Sequence, residues 1–228
     1  DIDDIIILMS SSSHLNVDQC LIYQSDYSGI VLFSDSSCEV IDSEIHHTKA
    51  PAIQTSRSAL ICKNSFFHDV DQNCINLNNS NNTQFINNRF RHIKASGISV
   101  SFRSKGIISQ NHFEDIHGNS VFVSEESKAT LVKNTVTNSI FPAFAILQRC
   151  SVQISYNKLT HISKSGICIR GAIRAVLDYN ELENISDCGV SISDSVNCVL
   201  MHNSIKDCQT AAVEVYNNSK VTIHDNQF

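Results

Sequence analysis

The sequence predicts an all-β protein in which one chain coils into a solenoid of about ten turns, each about 23 residues long. Three observations support this prediction: an asparagine recurs at a fixed interval, apolar residues recur in step with it, and the apolar residues within each unit alternate with polar ones. Alternation at a spacing of two is typical of β-strands, and no stretch keeps the spacing of an amphipathic helix.

Residues at the same position of successive repeat units form a column, and the asparagine column defines the repeat. Six of the seven intervals between its members are 23 residues, and the interval between Asn64 and Asn88 is 24. Ser43 and Gln19 extend the series towards the N-terminus. We predict that these side chains stack as a ladder, because stacked amides can hydrogen-bond above and below, and that the asparagine itself takes the left-handed conformation of a bend. The predicted ladder comprises Asn64, Asn88, Asn111, Asn134, Asn157, Asn180, Asn203 and Asn226.

Each unit contains three short strands. Apolar residues stand three places before and two places after the asparagine, and a column of small residues such as Gly97 and Gly189 precedes a third apolar alternation. Strands one turn apart would stack about 4.8 Å apart, so ten turns predict a body about 45 Å long. We assign residues 1–14 to an N-terminal cap or first strand and residues 15–228 to the repeat domain. Because the repeat stops within a unit, we expect the chain to continue or an end-to-end contact to cover the C-terminal edge.

A family resemblance follows from these columns. The N-x-[FIL]…GIxI pattern, as in SYNKLTHISKSGICI, resembles the parallel β-helix repeat of the pectin-lyase-like superfamily over about residues 15–228. The resemblance implies a single-stranded, right-handed parallel β-helix with three sheets. That superfamily includes pectate lyases, polygalacturonases and alginate epimerases, and also non-catalytic repeat regions such as those of F-box only, SHC-binding and NosD-like proteins. A shared fold does not choose among these functions.

Catalytic groups are sparse where the resemblance places the substrate, along the outer face of the sheet that begins at the small column. Glycoside hydrolysis needs two nearby carboxylates, and lyase chemistry needs a base beside a stabilising group. Only Arg170 and Glu214 have suitable side chains there, and they lie two coils apart. The superfamily motifs GHG, RxPxxR and DPH are absent. We therefore predict no catalytic residue and favour a non-catalytic module; the alternative is a carbohydrate-active enzyme completed by groups outside this chain.

Binding is the function that the exposed strand faces favour. In the middle sheet, one predicted outward column includes Cys62 and a companion column includes Leu60, and both alternate apolar with small residues. Such a surface marks an interaction site or reflects β-propensity alone. We expect a protein partner or a polysaccharide along an elongated face. The candidate binding residues are Ile41, Ile86, Ile107 and Val132 on the middle sheet, and Arg170, Glu214 and Tyr216 on the sheet that begins at the small column.

Charge and apolar runs limit the classes of partner. The net charge of −6 argues against nucleic acid, and no apolar run approaches the roughly 18 residues that span a bilayer. We interpret the local basic cluster as a solvated patch beside neighbouring acids. The cluster comprises Arg89, Arg91, Lys94, Arg103 and Lys105.

Cysteine and histidine positions suggest structural roles. The nine cysteines form no CxxC pair, so we predict buried free thiols and a cytoplasmic, reducing location; a secreted or cell-surface adhesin is the alternative. His47, His68 and His92 fall in one predicted column, four residues after the asparagine. The same column holds Asn and Asp elsewhere, as a polar turn would. We predict neither a metal site nor a cofactor.

Overall fold

The computed structural model describes residues 4–228, so residues 1–3 of the predicted cap lie outside the described part. Within it, 29 short strands follow one another, and every third strand belongs to the same sheet. Strands β1 to β27 make nine complete circuits, and β28 and β29 begin a tenth. Residues 4–228 contain no helix that could span a membrane. The all-β, three-sheet solenoid expected from the repeat is confirmed.

Three parallel sheets run along the solenoid axis. The first contains β1 (Ile7–Met9), β4 (Ile30–Phe33), β7 (Ile53–Ser56), β10 (Ile75–Asn78), β13 (Ile98–Ser101), β16 (Val121–Val123), β19 (Phe144–Leu147), β22 (Ile167–Arg170), β25 (Val190–Ser193) and β28 (Val213–Tyr216). The second contains β2 (His14–Asp18), β5 (Ser37–Ile41), β8 (Ala59–Lys63), β11 (Thr83–Ile86), β14 (Lys105–Ser109), β17 (Lys128–Val132), β20 (Ser151–Ser155), β23 (Arg174–Asp178), β26 (Cys198–Met201) and β29 (Val221–His224). The third contains β3 (Leu21–Ser25), β6 (Glu44–Thr48), β9 (Phe66–Val70), β12 (Arg89–Ile93), β15 (His112–Ile116), β18 (Thr135–Ser139), β21 (Lys158–Ile162), β24 (Glu181–Ile185) and β27 (Ser204–Cys208).

The core lies inside the coil and is built from columns of identical position. Alternate residues of each strand point inwards, so the apolar members of successive coils stack on one another. Phe67, Phe90 and Phe113 form such a stack from the third sheet, with ring centroids 5.1 and 4.8 Å apart. The small column leaves room for the backbone of the next coil: a Cβ on Gly189 would clash with Cγ2 of Ile205 and lie 2.6 Å from the carbonyl oxygen of Ala212.

An amide ladder occupies the corner between the second and third sheets. The Oδ1 of Asn134 accepts from the backbone N–H and from Nδ2 of Asn111, and the same pattern links each asparagine to the next from Asn88 to Asn226. Each Nδ2 also donates to a backbone carbonyl of the preceding coil, as Asn134 does to Ile108 at 2.8 Å. Every coil is therefore tied to both neighbours at the same corner.

Asn64 is not part of this ladder, and its assignment was wrong. Ser65 takes the ladder position: its N–H donates to Oδ1 of Asn88, and its hydroxyl accepts from the N–H of Ser43. Ser65 lies 23 residues before Asn88 and only 22 after Ser43, so this coil is one residue shorter. The exposed Asn64 stands one place too early and accepts from Asn87. Gln19 is displaced in the same way, because the N–H of Cys20 donates to Ser43.

The left-handed residue at this corner also differs from the prediction. It is the residue before each ladder position, with φ of 55° at Lys133, 56° at Tyr156 and 52° at Tyr179, and not the ladder asparagine itself. These side chains point outwards, and the rings of Tyr156 and Tyr179 stack with centroids 5.1 Å apart. The ladder side chain that follows is buried and hydrogen-bonded, and it holds the backbone in the bend. The bend therefore tolerates residues that seldom adopt φ > 0.

A second ladder, of serine hydroxyls, occupies the corner between the first and second sheets. The N–H of Ser58 donates to Oγ of Ser80, that of Ser80 to Ser104, and that of Ser104 to Ser127. The serines recur every 22 to 24 residues, so the interval that marks the asparagine ladder marks this column as well.

The two ends of the solenoid differ from its middle. Strand β1, in the segment assigned to a cap or first strand, pairs with β4 as the first strand of the first sheet. At the other end, Val215 and Ile223 are in register with the buried Ile192 and Leu200, yet are 43% and 42% exposed. No later coil of the described chain covers them.

Candidate functional site

The predicted binding residues lie on two different faces. Arg170 and Tyr216 share an outward column of the first sheet, two strands apart, and Glu214 lies in the adjacent outward column. Small buried side chains such as Ser191 and Ser193 occupy the strand between them. The functional groups on this face are therefore isolated from one another. The strand register places Arg170 and Glu214 two coils apart, which is the separation expected from the sequence.

The middle-sheet candidates lie on the outer face of the second sheet. Ile41, Ile86 and Val132 fall in one outward column, and the 46% exposed Ile107 falls in the neighbouring one. Cys62 and Leu60 were wrongly placed on this face. Both are fully buried, because the one-residue error at Asn64 moves every side chain of β8 to the opposite face. Lys63 and Ile61 occupy the outward positions instead.

The outer face of the second sheet also carries a groove of about 660 Å³. It crosses β11, β14, β17, β20 and β23, so at the strand spacing it is about 19 Å long. Two outward columns line it, those of Lys105 and Ile107, because each strand exposes alternate residues and the residues between them, such as Gly106 and Ala129, point inwards. The lining residues are Asn82, Thr83, Gln84, Lys105, Gly106, Ile107, Lys128, Ala129, Thr130, Ser151, Val152, Gln153, Arg174 and Val176.

One edge of this groove is cationic. Lys105, Lys128 and Arg174 begin their strands and stand in one column, with Ser151 filling the coil between Lys128 and Arg174. Within residues 4–228, none of the three side chains forms an ion pair. We call this surface the cationic groove. Because like charges repel along a column, three unpaired cations on a chain of net charge −6 favour an anionic ligand.

The predicted basic cluster divides into two groups. Arg89 and Arg91 reach Oε2 of Glu114 at 2.9 and 3.5 Å, and Lys94 lies 2.8 Å from Asp71. Arg103 pairs with Glu126 at 3.2 Å. These four are surface cations beside acids, as expected, whereas Lys105 belongs to the cationic groove.

Glu114 gives a pH-dependent test of this pairing. The hydrogen bond from Arg89, with the nearby charge of Arg91, lowers the pKa of Glu114 below its ordinary value of 4.5. A carboxylate with a lowered pKa contributes stability above its unfolded pKa and loses it as the pH falls. We expect Glu114→Gln to lower the free energy of unfolding by less than about 1 kcal/mol at neutral pH, with a smaller difference near pH 3.5. Urea denaturation at both pH values measures this.

The matched control is Glu183→Gln. Glu183 stands in the same outward column of the third sheet but forms no ion pair among the described residues. We expect this variant to leave the pH dependence unchanged. An equal loss of stability for Glu114→Gln at both pH values would contradict the ion-pair explanation.

The nine cysteines are free, and six of them are buried. Burial raises the pKa of the Cys38 thiol to about 12 and raises the pKa values of Cys62 and Cys74 well above the ordinary value. A thiol with a raised pKa is a poor nucleophile and metal ligand. These cysteines therefore act as small core residues, as the sequence predicted.

Comparison with solved structures finds the same architecture in carbohydrate-active enzymes. The chain superposes on the catalytic unit of a thermostable GH87 alpha-1,3-glucanase from Streptomyces thermodiastaticus strain HF3-3 with a TM-score of 0.81, at 14% identity over 93% of this chain. It covers 48% of that enzyme, about half its length. At this identity the likeness shows the fold.

Two alginate enzymes share this fold. The periplasmic alginate epimerase AlgG has a TM-score of 0.65 at 14% identity, with 93% of this chain and 64% of the epimerase covered. An alginate lyase from Paenibacillus sp. str. FPU-7 has a TM-score of 0.64 at 9% identity, with 93% and 95% covered. No curated protein matches the sequence significantly.

The sequence itself matches a family profile described as "Right handed beta helix region", over residues 5–139 and 96–228. The two matches overlap and together span residues 5–228, which are the residues that form the stacked coils. The chain therefore belongs to the right-handed β-helix family.

Proposed function

We propose that this chain is a polysaccharide-binding β-helix that holds an anionic glycan along the cationic groove. The observation that carries the proposal is the column of Lys105, Lys128 and Arg174, unpaired among the described residues and aligned with the solenoid axis. Successive strands place these charges at multiples of about 4.8 Å. An extended polymer with regularly spaced carboxylates or sulfates can follow such a column.

The rest of the groove suits a sugar chain. Gln84, Thr130 and Gln153 lie in the second outward column, beside the cations, and offer amide and hydroxyl groups to sugar hydroxyls. Ile107 and Val176 occupy the other two positions of this column and offer apolar contact to ring faces. Binding sites commonly combine apolar lining with a few polar groups in this way. A protein partner would use the same apolar residues, but it would not need a row of cations.

The groove is better suited to binding than to catalysis. None of its lining residues carries a carboxylate or an imidazole, and glycoside hydrolysis uses a pair of carboxylates. The named relatives are enzymes on a glucan and on alginate, which supports testing polysaccharides as ligands. An enzymatic function would instead use Arg170 and Glu214 on the first sheet, together with groups that this chain lacks.

Binding to soluble alginate and polygalacturonate, with dextran as a neutral polymer, tests the proposal. We expect the chain to bind the anionic polymers, and the triple variant Lys105→Gln, Lys128→Gln, Arg174→Gln to bind about ten-fold or more weakly. Affinity is measured by isothermal titration calorimetry at two salt concentrations. The salt dependence should also become shallower in the variant, because fewer counterions are displaced.

The control variant removes the same charge elsewhere. Lys94, Arg103 and Lys158 already pair with acids on other surfaces, so their triple change to Gln should leave affinity within a factor of about two. An equal loss in both variants, or no binding to any anionic polymer, would contradict the proposal. New reducing ends or unsaturated product, lost on Arg170→Ala or Glu214→Ala, would establish the enzymatic alternative.

A further inference from the structure

Three imidazoles meet on the third sheet, away from the cationic groove. His46 and His47 lie on β6, and His68 lies on β9 of the next coil, in register with His46. One potential ligand atom from each ring lies within 4.8 Å of those of the other two. We call these residues the histidine cluster.

The backbone explains why two consecutive residues of one strand share a face. Adjacent strand residues ordinarily point to opposite sides. His47 has a φ of 52°, and this left-handed residue interrupts the alternation, so that both His46 and His47 lie outside while Ile45 and Thr48 remain buried. The ring of His47 stands edge-on to that of His46, with the ring planes at 77°.

Two carboxylates hold His68. Its Nδ1 lies 2.6 Å from Oδ2 of Asp69, and its Nε2 lies 2.8 Å from Oε1 of Glu44. A histidine that ligates a metal through one nitrogen ordinarily donates the other N–H to a carboxylate, which fixes the orientation of the ring. Asp69, beside Nδ1, is placed to accept this hydrogen bond. Glu44 lies beside Nε2, which is the nitrogen left for a metal.

We propose that the histidine cluster binds one divalent transition-metal ion, with Zn²⁺ as the reference ion. His46, His47 and His68 supply imidazole nitrogens, Glu44 supplies a carboxylate oxygen, and Asp69 orients His68. Imidazole donors favour zinc, copper and nickel over calcium and magnesium, and three histidines with one oxygen ligand complete a tetrahedral zinc site.

Metal binding requires a local movement of side chains. At zinc–nitrogen bonds of 2.0–2.1 Å, tetrahedral ligands lie about 3.4 Å apart, so the ligand atoms must shift. Nδ1 of His46 lies only 2.5 Å from Nδ1 of His47, and these two atoms must separate. The rings of His46 and His68 are stacked with planes 8° apart, and a metal binds in the plane of an imidazole ring. His46 must therefore turn out of the stack, since Glu44 and Asp69 hold His68.

The site differs from the column that the sequence suggested. His68 is displaced from the column of His47 and His92 by the one-residue error at Asn64, and Asp69 takes that place. His92 lies between Asp69 and Asp115, at 3.4 and 3.5 Å. The prediction that no metal binds was made for His47, His68 and His92, whereas the fold groups His47 and His68 with His46 and leaves His92 outside the cluster.

Metal titration of the chelator-treated, full 228-residue chain tests the proposal. We expect calorimetry to show one Zn²⁺ ion per chain, and Co²⁺ to give the intense visible absorption of a tetrahedral site with nitrogen and oxygen ligands. His68→Ala and the exposed His47→Ala should each weaken Zn²⁺ binding by more than about 100-fold, and Glu44→Gln by about ten-fold. Circular dichroism without metal verifies folding; if His68→Ala fails to fold, His47→Ala decides.

The control variant is His161→Ala. His161 occupies the position of His47 on a later coil, with a φ of 56°, but belongs to no such cluster within residues 4–228. Its removal should leave zinc affinity and the Co²⁺ spectrum unchanged. Absence of Zn²⁺ and Co²⁺ binding by the wild-type chain, or equal affinities of His47→Ala and His161→Ala, would overturn the proposal.

Discussion

Asn134→Ala is expected to lower the free energy of unfolding by about 2–5 kcal/mol, measured by urea denaturation. Its amide is 1% exposed and makes four hydrogen bonds, to Asn111, Ile108 and Asn157. Alanine leaves the N–H of Asn111 and the carbonyl of Ile108 without this partner in the interior. Each buried polar group left unsatisfied costs about 1–3 kcal/mol.

Two further variants test whether this stability comes from the buried ladder position and not from any asparagine at this corner. Asn134→Ser should retain part of the stability, because Ser43 and Ser65 fill ladder positions with a hydroxyl. Asn64→Gly, at the exposed left-handed residue beside the ladder, should change the free energy of unfolding by no more than about 0.5 kcal/mol. Equal losses for Asn134→Ala and Asn64→Gly would show that the ladder does not hold the coils together.

Phe90→Ala is expected to lower the free energy of unfolding by about 3–5 kcal/mol. Phe90 is fully buried between Phe67 and Phe113, so its removal leaves a cavity and ends two ring contacts. Neighbouring rings cannot close the cavity easily, because each is fixed to its own coil by the strand pairing. The urea midpoint and the melting temperature should both fall.

Phe102→Ala is the control for this effect. Phe102 is 52% exposed in the turn after β13, so its removal should cost no more than about 0.5 kcal/mol. Similar melting temperatures for the Phe90 and Phe102 variants would contradict the assignment of the aromatic stack to the core.

The repeat predicted most of the fold because a coil must return to the same place on every turn. The spacing of Asn88 to Asn226 identified the corner, and the apolar columns identified three strands per circuit. The error at Asn64 arose because one coil is a residue shorter and an asparagine happens to precede Ser65. Residue types alone cannot show whether Asn64 or the adjacent Ser65 is the ladder residue. A shift of one residue then exchanges the inner and outer faces of the strand.

The candidate sites were only partly visible in the sequence. Lys128 follows Lys105 by 23 residues and Arg174 follows Lys128 by 46, so the repeat interval could have identified this column. The predicted basic cluster instead groups Lys105 with cations that are near it in sequence but pair with acids outside the groove. His46 and His47 could not have been assigned to one face, since strand alternation separates adjacent residues unless the backbone bends.

The sequence by itself determined the all-β class, the period of the coil and the identity of the stacked corner, because these depend on residue types that recur along the chain. Only the tertiary structure decided the register of the short coil, which residue takes φ > 0, and which charges and imidazoles share a face. Those features depend on hydrogen bonds between coils, and such bonds join residues that are about one full turn apart in the chain.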